Sequence, residues 1–135
     1  MNIVLHTFRS VVLPVLFSIT AANADEKGPF QCDGNTIEQG TCLQKAYDAA
    51  DKELNAAYQT LLGMTEKLKD GWDKDLRAAQ KKWIEFRDLN CNFYGAYLRG
   101  GSGEGLEYIA CKVRVTKERA TELRRKRDEL AERGY

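Results

Sequence analysis

Histidine is almost absent from this chain, which contains His6 alone, in an N-terminal segment that we expect to be removed. Serine is nearly as scarce, because Ser102 is the one serine after residue 24. A Ser-His or Cys-His nucleophile needs a base that accepts a proton near neutral pH, and imidazole is the side chain with a suitable pKa. Histidine nitrogen is also the usual ligand of zinc, copper and iron. We therefore expect a protein that is not an enzyme, with no catalytic residues, no metal site and no cofactor.

Long apolar runs are absent too, and the most apolar stretch, residues 11–17, is interrupted by Pro14. Small residues follow it in the sequence Ala22-Asn23-Ala24. This order is typical of a secretory signal peptide, here residues 1–24, and the run is too short for a transmembrane helix. We expect a mature domain over residues 25–135, periplasmic or secreted from a bacterium, with no stable membrane anchor.

Four cysteines remain after the predicted cleavage site, Cys32, Cys42, Cys91 and Cys111. An even number in a short exported chain predicts two disulfides, whereas a zinc site would require closely spaced Cys-x2-Cys pairs. We favour pairing Cys32 with Cys42 and Cys91 with Cys111, because the second pair is symmetric about the glycine cluster at 100–103. A three-helix layout also permits a cross-pairing such as Cys42 with Cys91, so the alternative stays open.

Apolar residues spaced alternately four and three apart predict three long helices. The predicted buried stripe of the first comprises Leu43, Tyr47, Ala50, Leu54, Ala57, Leu61, Met64 and Leu68. That of the second comprises Trp72, Leu76, Ala79, Trp83, Phe86, Asn90, Phe93 and Tyr97. That of the third comprises Leu106, Ile109, Val113, Thr116, Ala120, Leu123 and Leu130.

Capping signals mark the predicted helix ends. Thr41 with Gln44 forms a capping box, Asp70 caps the second helix, and Ser102 starts the third. The short connections predict an all-α fold, a three-helix up-down-up antiparallel bundle. Residues 25–40 form an irregular N-terminal arm tethered by its disulfide.

Charge is balanced in the predicted mature chain, since 20 basic residues match 20 acidic ones once Arg9 is removed. Residues 112–127 nevertheless carry eight basic and two acidic side chains. Such a run can bind phosphate or an anionic surface. An exposed, solvated helix face is the more common explanation, and we expect no nucleic-acid partner.

Polar residues interrupt the apolar stripes in four segments, 51–58, 79–91, Gly101-Ser102, and Cys111 with 116–123. The most specific is the string Gln-x-x-Trp-x-x-x-Arg-Asp-x-x-Cys. Together these segments resemble the lysozyme inhibitor LprI-like family. Two interpretations apply to these positions: a hydrogen-bond network that fixes the helix register around Trp83, or a recognition site with aromatic anchors. The positions are Asn55, Gln80, Trp83, Arg87, Asp88, Thr116 and Arg119, and the further anchor candidates are Tyr58, Tyr94 and Tyr97.

The resemblance implies a small, helical, disulfide-bonded exported protein whose partner is a lysozyme or another peptidoglycan hydrolase. An inhibitor would block the carboxylate-lined cleft with a loop. Our candidate loop is the glycine-rich segment with Arg99, Gly101, Ser102 and Glu104, although it also reads as a simple helix-helix turn. Two alternatives remain: an envelope or stress protein that binds another protein partner, and, least favoured, a carboxylate-based enzyme.

Overall fold

The computed structural model describes residues 31–68 and 70–135. This part of the chain forms three α-helices, α1 (Thr36–Thr65), α2 (Trp72–Ala96) and α3 (Gly103–Glu132), and has no strand. The predicted signal peptide and its cleavage site lie outside the described residues. Within those residues, none of the helices has the length and apolarity needed to cross a bilayer.

The helices run up, down and up, as the sequence predicts. A Cβ atom added to Gly40 near the start of α1 would lie 3.7 Å from Leu106 near the start of α3, so these two helices are parallel. The Cys91–Cys111 bond joins the last turns of α2 to the first turns of α3, which makes α2 antiparallel to both. Helix α3 shares its broadest interface with α1 and a smaller one with α2, whereas α1 and α2 touch only slightly.

The hydrophobic core lies mainly between α1 and α3, where the predicted stripes meet. Each buried leucine contributes about 1.5–3 kcal/mol relative to exposure. Tyr58, Met64, Leu76 and Trp83 pack against the core from its edges. The core residues are Leu54, Ala57, Leu61, Ala120, Leu123 and Leu130.

Helix α2 departs from its predicted stripe. Phe86, Phe93 and Tyr97 are 59%, 75% and 90% exposed, on roughly the opposite side of the helix from the buried residues. Trp72, which we expected to be buried, is 36% exposed. The buried side instead carries Gln80, Arg87, Cys91 and Gly95. The stripe is thus wrong at its phenylalanines and at Tyr97, whereas Leu76 and Trp83 do pack against the core. The polar residues are buried instead because α1 and α3 offer them partners, as the hydrogen-bond network interpretation requires.

Two predicted helix starts also differ from the structure. Helix α1 begins within the predicted arm, because Asn35 accepts hydrogen bonds from the N–H groups of Ile37 and Glu38 while the Glu38 carboxylate accepts one from Asn35. The residues of the predicted capping box therefore lie inside α1. Asp70 does not cap α2, whose N-cap is Gly71 with a φ of 75° and no side-chain bond.

Helix α3 starts at the predicted position but without the predicted side-chain cap. Ser102 is the N-cap residue of α3, but its side chain makes no capping bond. Helix α3 ends at its C-cap Arg133, and the next residue, Gly134, has a φ of 82°.

Two disulfides with the favoured pairing, Cys32–Cys42 and Cys91–Cys111, are present. The first holds residues 31–35 against the first turns of α1. The second is fully buried and joins α2 to α3 just below the turn between them. Both therefore lie at the same end of the bundle.

Candidate functional site

The side chain of Trp83 lies at the centre of a cluster of charged residues contributed by all three helices. The guanidinium carbons of Arg87 and Arg119 lie 5.4 Å and 5.9 Å from its ring centroid. Both distances suit cation–π attraction, which strengthens when the cation is withdrawn from water. Trp83 thus binds two cations besides packing against the core.

Arg87 is the most buried charge of this cluster, with its side chain 7% exposed. Its Nε donates to the Asp88 carboxylate at 2.9 Å, and its Nη1 lies 3.6 Å from the carboxylate of Asp51 on α1. The exposed Asn55 amide donates to the same Asp51 carboxylate at 3.0 Å. Arg87 therefore joins α2 to α1 where the two helices otherwise touch little, and Asn55 lies at the edge of the cluster.

Lys112 of α3 completes this side of the cluster. Its Nζ lies 3.5 Å from the Asp88 carboxylate, 4.4 Å from the ring centroid of Tyr47 and 5.3 Å from that of Tyr108. Partial burial by itself would lower the pKa of Lys112, but Tyr47 and Asp88 outweigh it and raise the pKa above its ordinary value. The ammonium is thus stabilised in its charged form.

Asp88 responds in the complementary direction. Partial burial favours its neutral form, but the hydrogen bond and charge of Arg87, with the charge of Lys112, outweigh this and lower its pKa. A carboxylate held ionised in this way cannot donate a proton near neutral pH, so Asp88 does not suit general acid catalysis. Its position fits a structural ion pair.

The other side of the cluster joins α2 to α3. The Arg119 Nε donates to the buried Gln80 Oε1 at 3.2 Å, and its Nη1 donates to Glu122 at 2.8 Å. Thr116, fully buried on α3, has a hydroxyl without a hydrogen-bond partner among the described residues. Thr116 therefore fills space in the core and is not part of the hydrogen-bond network.

We call the residues described above the polar cluster. The structure brings together all the predicted motif positions except Thr116, whose hydroxyl has no hydrogen-bond partner among the described residues, and places Asn55 at the rim. Tyr47 and Lys112 were not predicted as partners, because their contacts with α2 arise only in the fold. This arrangement supports the interpretation of a register-fixing network. Its members are Tyr47, Asp51, Asn55, Gln80, Trp83, Arg87, Asp88, Lys112 and Arg119.

Arg99, Gly101 and Ser102 of the candidate loop lie in a short turn over residues 97–102, which we call the α2–α3 turn. Glu104 lies instead in the first turn of α3. Every residue of the α2–α3 turn is exposed. Gly100, with a φ of 82°, donates its N–H to the Glu104 carboxylate at 3.0 Å, and Gly101 donates to the Leu98 carbonyl at 2.9 Å. Below it, a Cβ atom on Gly95 would lie 3.1 Å from the Glu104 carbonyl oxygen. The turn is thus held by its own hydrogen bonds and by close helix packing.

An exposed apolar stripe follows the outer face of α2 toward this turn. It consists of Phe86, Leu89, Phe93 and Tyr97, each at least 59% exposed. The turn-proximal end of the stripe opens into a groove of about 670 Å³, lined by Phe93, Tyr94, Ala96, Tyr97, Leu98 and Glu107. This surface was not predicted. The sequence of α2 does show both an apolar and a polar stripe, and only one of the two can face the other helices.

The basic run of α3 is largely neutralised. Arg119, Arg124 and Arg127 pair with Glu122, Glu53 and Asp128. Further pairs join Lys112 to Asp88, Arg114 to Glu118, and both Arg125 and Lys126 to Glu129. These pairs match an exposed, solvated helix face. Among the described residues, no group of three or more histidine, cysteine or acidic side chains could hold a metal ion.

Comparison with known proteins matches residues 31–123 to the model of the family described as Lysozyme inhibitor LprI. An uncharacterized protein of Rhizobium meliloti (strain 1021) is 32% identical over 125 residues, covering 83% of this chain and 89% of that protein. The crystal structure of a DUF1311 family protein from Pseudomonas putida KT2440 superposes with a TM-score of 0.59 at 26% identity, covering 67% of this chain and 94% of that one. The matched residues include the whole of the polar cluster and the α2–α3 turn. The chain belongs to the Lysozyme inhibitor LprI family.

Proposed function

We propose that this protein is exported to the periplasm or the medium, with residues 1–24 as a signal peptide, and binds a lysozyme or related peptidoglycan hydrolase. It blocks the substrate cleft stoichiometrically and performs no chemistry of its own. Family membership supports the class of partner. The two disulfides are consistent with an oxidising compartment.

The observation that carries the proposal is the α2–α3 turn, an exposed turn held by its own hydrogen bonds. The Cys91–Cys111 bond and the Gly95–Glu104 approach fix the two helices that lead into it. A preorganised projection loses little conformational entropy when it enters a cleft, and this is how small protein inhibitors reach high affinity. The glycines at 100, 101 and 103 keep it narrow.

Charge also supports the proposal that the α2–α3 turn enters the cleft. Lysozyme-type cleavage uses a pair of carboxyl groups on either side of the glycosidic bond, and Arg99 is an exposed cation in the turn. Guanidinium and carboxylate form strong, geometrically specific pairs. We propose Arg99 and Ser102 as cleft contacts, with Glu104 holding the turn through Gly100.

Titration calorimetry of the oxidised protein against animal lysozymes of different types and a bacterial lytic transglycosylase tests this proposal, together with a cell-wall clearing assay. We expect one-to-one binding with a Kd below about 1 μM to at least one enzyme, and competition by a chitin oligosaccharide that occupies the cleft. Arg99→Ala should weaken binding by about tenfold or more. Arg133→Ala, an exposed arginine at the other end of the bundle, is the matched control and should bind normally.

Absence of binding to every enzyme would contradict the proposal. Tight binding that neither the oligosaccharide nor Arg99→Ala affects would show that the cleft and the turn are not the contact.

A further inference from the structure

We propose that the exposed apolar stripe of α2 is the interface of a symmetric homodimer, in which α2 packs antiparallel against α2 of a second copy. The stripe is unusual for a helix surface, because Phe86, Leu89, Phe93 and Tyr97 are 59–90% exposed. They follow one another at spacings of three and four residues, the spacing of a helix seam. A helix from a second copy fits a seam of this spacing.

The composition around the stripe favours an apolar partner over a charged one. No charged residue occurs between Asp88 and Arg99, and Arg87 and Asp88 are directed into the polar cluster. Depletion of charge with enrichment of aromatic residues characterises the centre of a protein–protein interface. A cationic lysozyme would be expected to face acidic residues. None of the four stripe residues is acidic, and the groove at the end of the stripe contributes Glu107 alone.

The stripe is also complementary to itself. If a two-fold axis passes beside Leu89 and Asn90, antiparallel pairing brings Phe86 of one copy opposite Phe93 of the second copy. The same register brings Lys82 opposite Tyr97 of the second copy, near the edge of the contact. Aromatic packing at the centre and cation–π contacts at both ends suit an isologous interface.

The area agrees with what a dimer needs. Covered aromatic side chains bury roughly 150–250 Å² each, so at the observed exposures the stripe can bury about 600 Å² per copy. Two copies give about 1,200 Å², the lower end of the range for specific interfaces. One copy leaves the whole patch in water, at the upper end of what monomers usually expose.

Sedimentation equilibrium of the oxidised protein, produced by export of the full chain from a bacterial host, tests the dimer. We expect a monomer–dimer equilibrium with a Kd on the order of 10 μM. Phe93→Asp should weaken it at least about 30-fold, because two carboxylates would enter the apolar centre. Ile37→Asp is the matched control: Ile37 is 80% exposed on α1, away from the stripe, and its replacement should leave the equilibrium unchanged.

A second measurement tests how the two α2 helices align, and it uses a variant without an introduced charge. With the photoreactive benzoylphenylalanine at position 93, a mixture of isotopically light and heavy protein should give mixed crosslinks that map to residues 82–89 of the other copy. Three results would overturn the proposal: a monomer at all concentrations, a dimer that Phe93→Asp leaves intact, or crosslinks that form only within one copy. The proposal does not depend on lysozyme inhibition, because the calorimetric and sedimentation experiments report separately.

Discussion

The Gln80 Oε1 accepts a hydrogen bond from Nε of Arg119 at 3.2 Å, although the two residues are 39 positions apart. Gln80 is 7% exposed, so its carbonyl has little access to water. The bond therefore links α2 to α3 where both helices pass Trp83, and it accounts for a buried amide in a helix that has exposed phenylalanines.

Gln80→Ala should destabilise the protein by about 1–2 kcal/mol, because it removes this bond and leaves part of the Arg119 guanidinium without its buried acceptor. Urea unfolding followed by circular dichroism measures the change. The control is Gln59→Ala, at an exposed position on α1, which should alter stability by less than about 0.5 kcal/mol. Equal effects of the two substitutions would contradict a structural role for the Gln80–Arg119 bond.

Arg87→Ala should cost more, about 2–3 kcal/mol, because the buried guanidinium contacts two carboxylates and the Trp83 ring together. The estimate stays below that for a fully buried pair, since Asp51 and Asp88 have side chains 40% and 42% exposed and water can solvate them. Arg77→Ala is a matched substitution on the same helix. Its pair with Glu66 is about half exposed on both sides and should be worth less than about 1 kcal/mol.

Arg87→Lys separates charge from shape. Lysine keeps the positive charge but lacks the planar fork that bonds a carboxylate while lying over a ring. We expect it to recover less than half of the stability lost in Arg87→Ala, measured in the same urea titrations. Full recovery would mean that charge alone explains the position.

The stabilising effect of Asp88 should depend on pH in a defined direction. Its folded-state pKa is below the ordinary value of 3.8, so its contribution is fully present above that value and is lost as pH falls through the folded pKa. The stability difference between the native protein and Asp88→Asn should therefore be constant near neutral pH and shrink below about pH 4. Asp70→Asn, in the exposed connection between α1 and α2, serves as the control. A difference that grows on acidification would contradict the ion pair.

The stabilising effect of Lys112 should be lost at high pH, in contrast to that of Asp88. Its pKa in the folded protein is above 10.5, so its contribution persists below that value and disappears as pH rises through the folded pKa. Lys112→Met should lose stability at neutral pH and approach the native protein in strongly alkaline solution. Urea unfolding at several pH values above about 10 checks this.

Two helical glycines provide a test of how closely α2 approaches α3. Gly63→Ala should stabilise the protein by about 0.5–1 kcal/mol, because alanine favours a helix and a Cβ there would meet no atom within 4 Å. Gly95→Ala would gain the same propensity but place its Cβ 3.1 Å from the Glu104 carbonyl oxygen. We expect Gly95→Ala to be at least about 1 kcal/mol less stable than Gly63→Ala. Thermal unfolding compares them, and equal melting temperatures would show that the interface yields freely.

The three-helix architecture could be predicted from the sequence because the apolar residues of α1 and α3 lie on the buried face of each helix. Residues such as Leu54, Leu61 and Leu123 have no alternative to burial, and their spacing identifies the inner face. The position of the glycine turn favoured the pairing of Cys91 with Cys111, but a cross-pairing such as Cys42 with Cys91 stayed open until the structure was known. Helix direction and the favoured Cys91–Cys111 pairing were thus predicted without knowing any contact between side chains.

The buried face of α2 could not be predicted in the same way. Its exposed stripe, with Phe86 and Phe93, is more apolar than its buried stripe, with Gln80 and Arg87. The inner residues are stabilised by Asp51, Lys112 and Arg119 on the other two helices, and such pairing is invisible to any analysis that treats one helix at a time. The motif itself was recognisable, but its orientation required the fold.

The covalent restraints of this bundle are all at one end. Cys32–Cys42 and Cys91–Cys111 secure the start of α1 and the α2–α3 junction, whereas the opposite end is closed by contacts such as Trp72 against Tyr135, with ring centroids 5.7 Å apart. Local opening should therefore begin at the α1–α2 connection and the C-terminus, and amide exchange should slow progressively toward the crosslinked end. The α2–α3 turn would then keep its shape through fluctuations that separate the far ends of the helices.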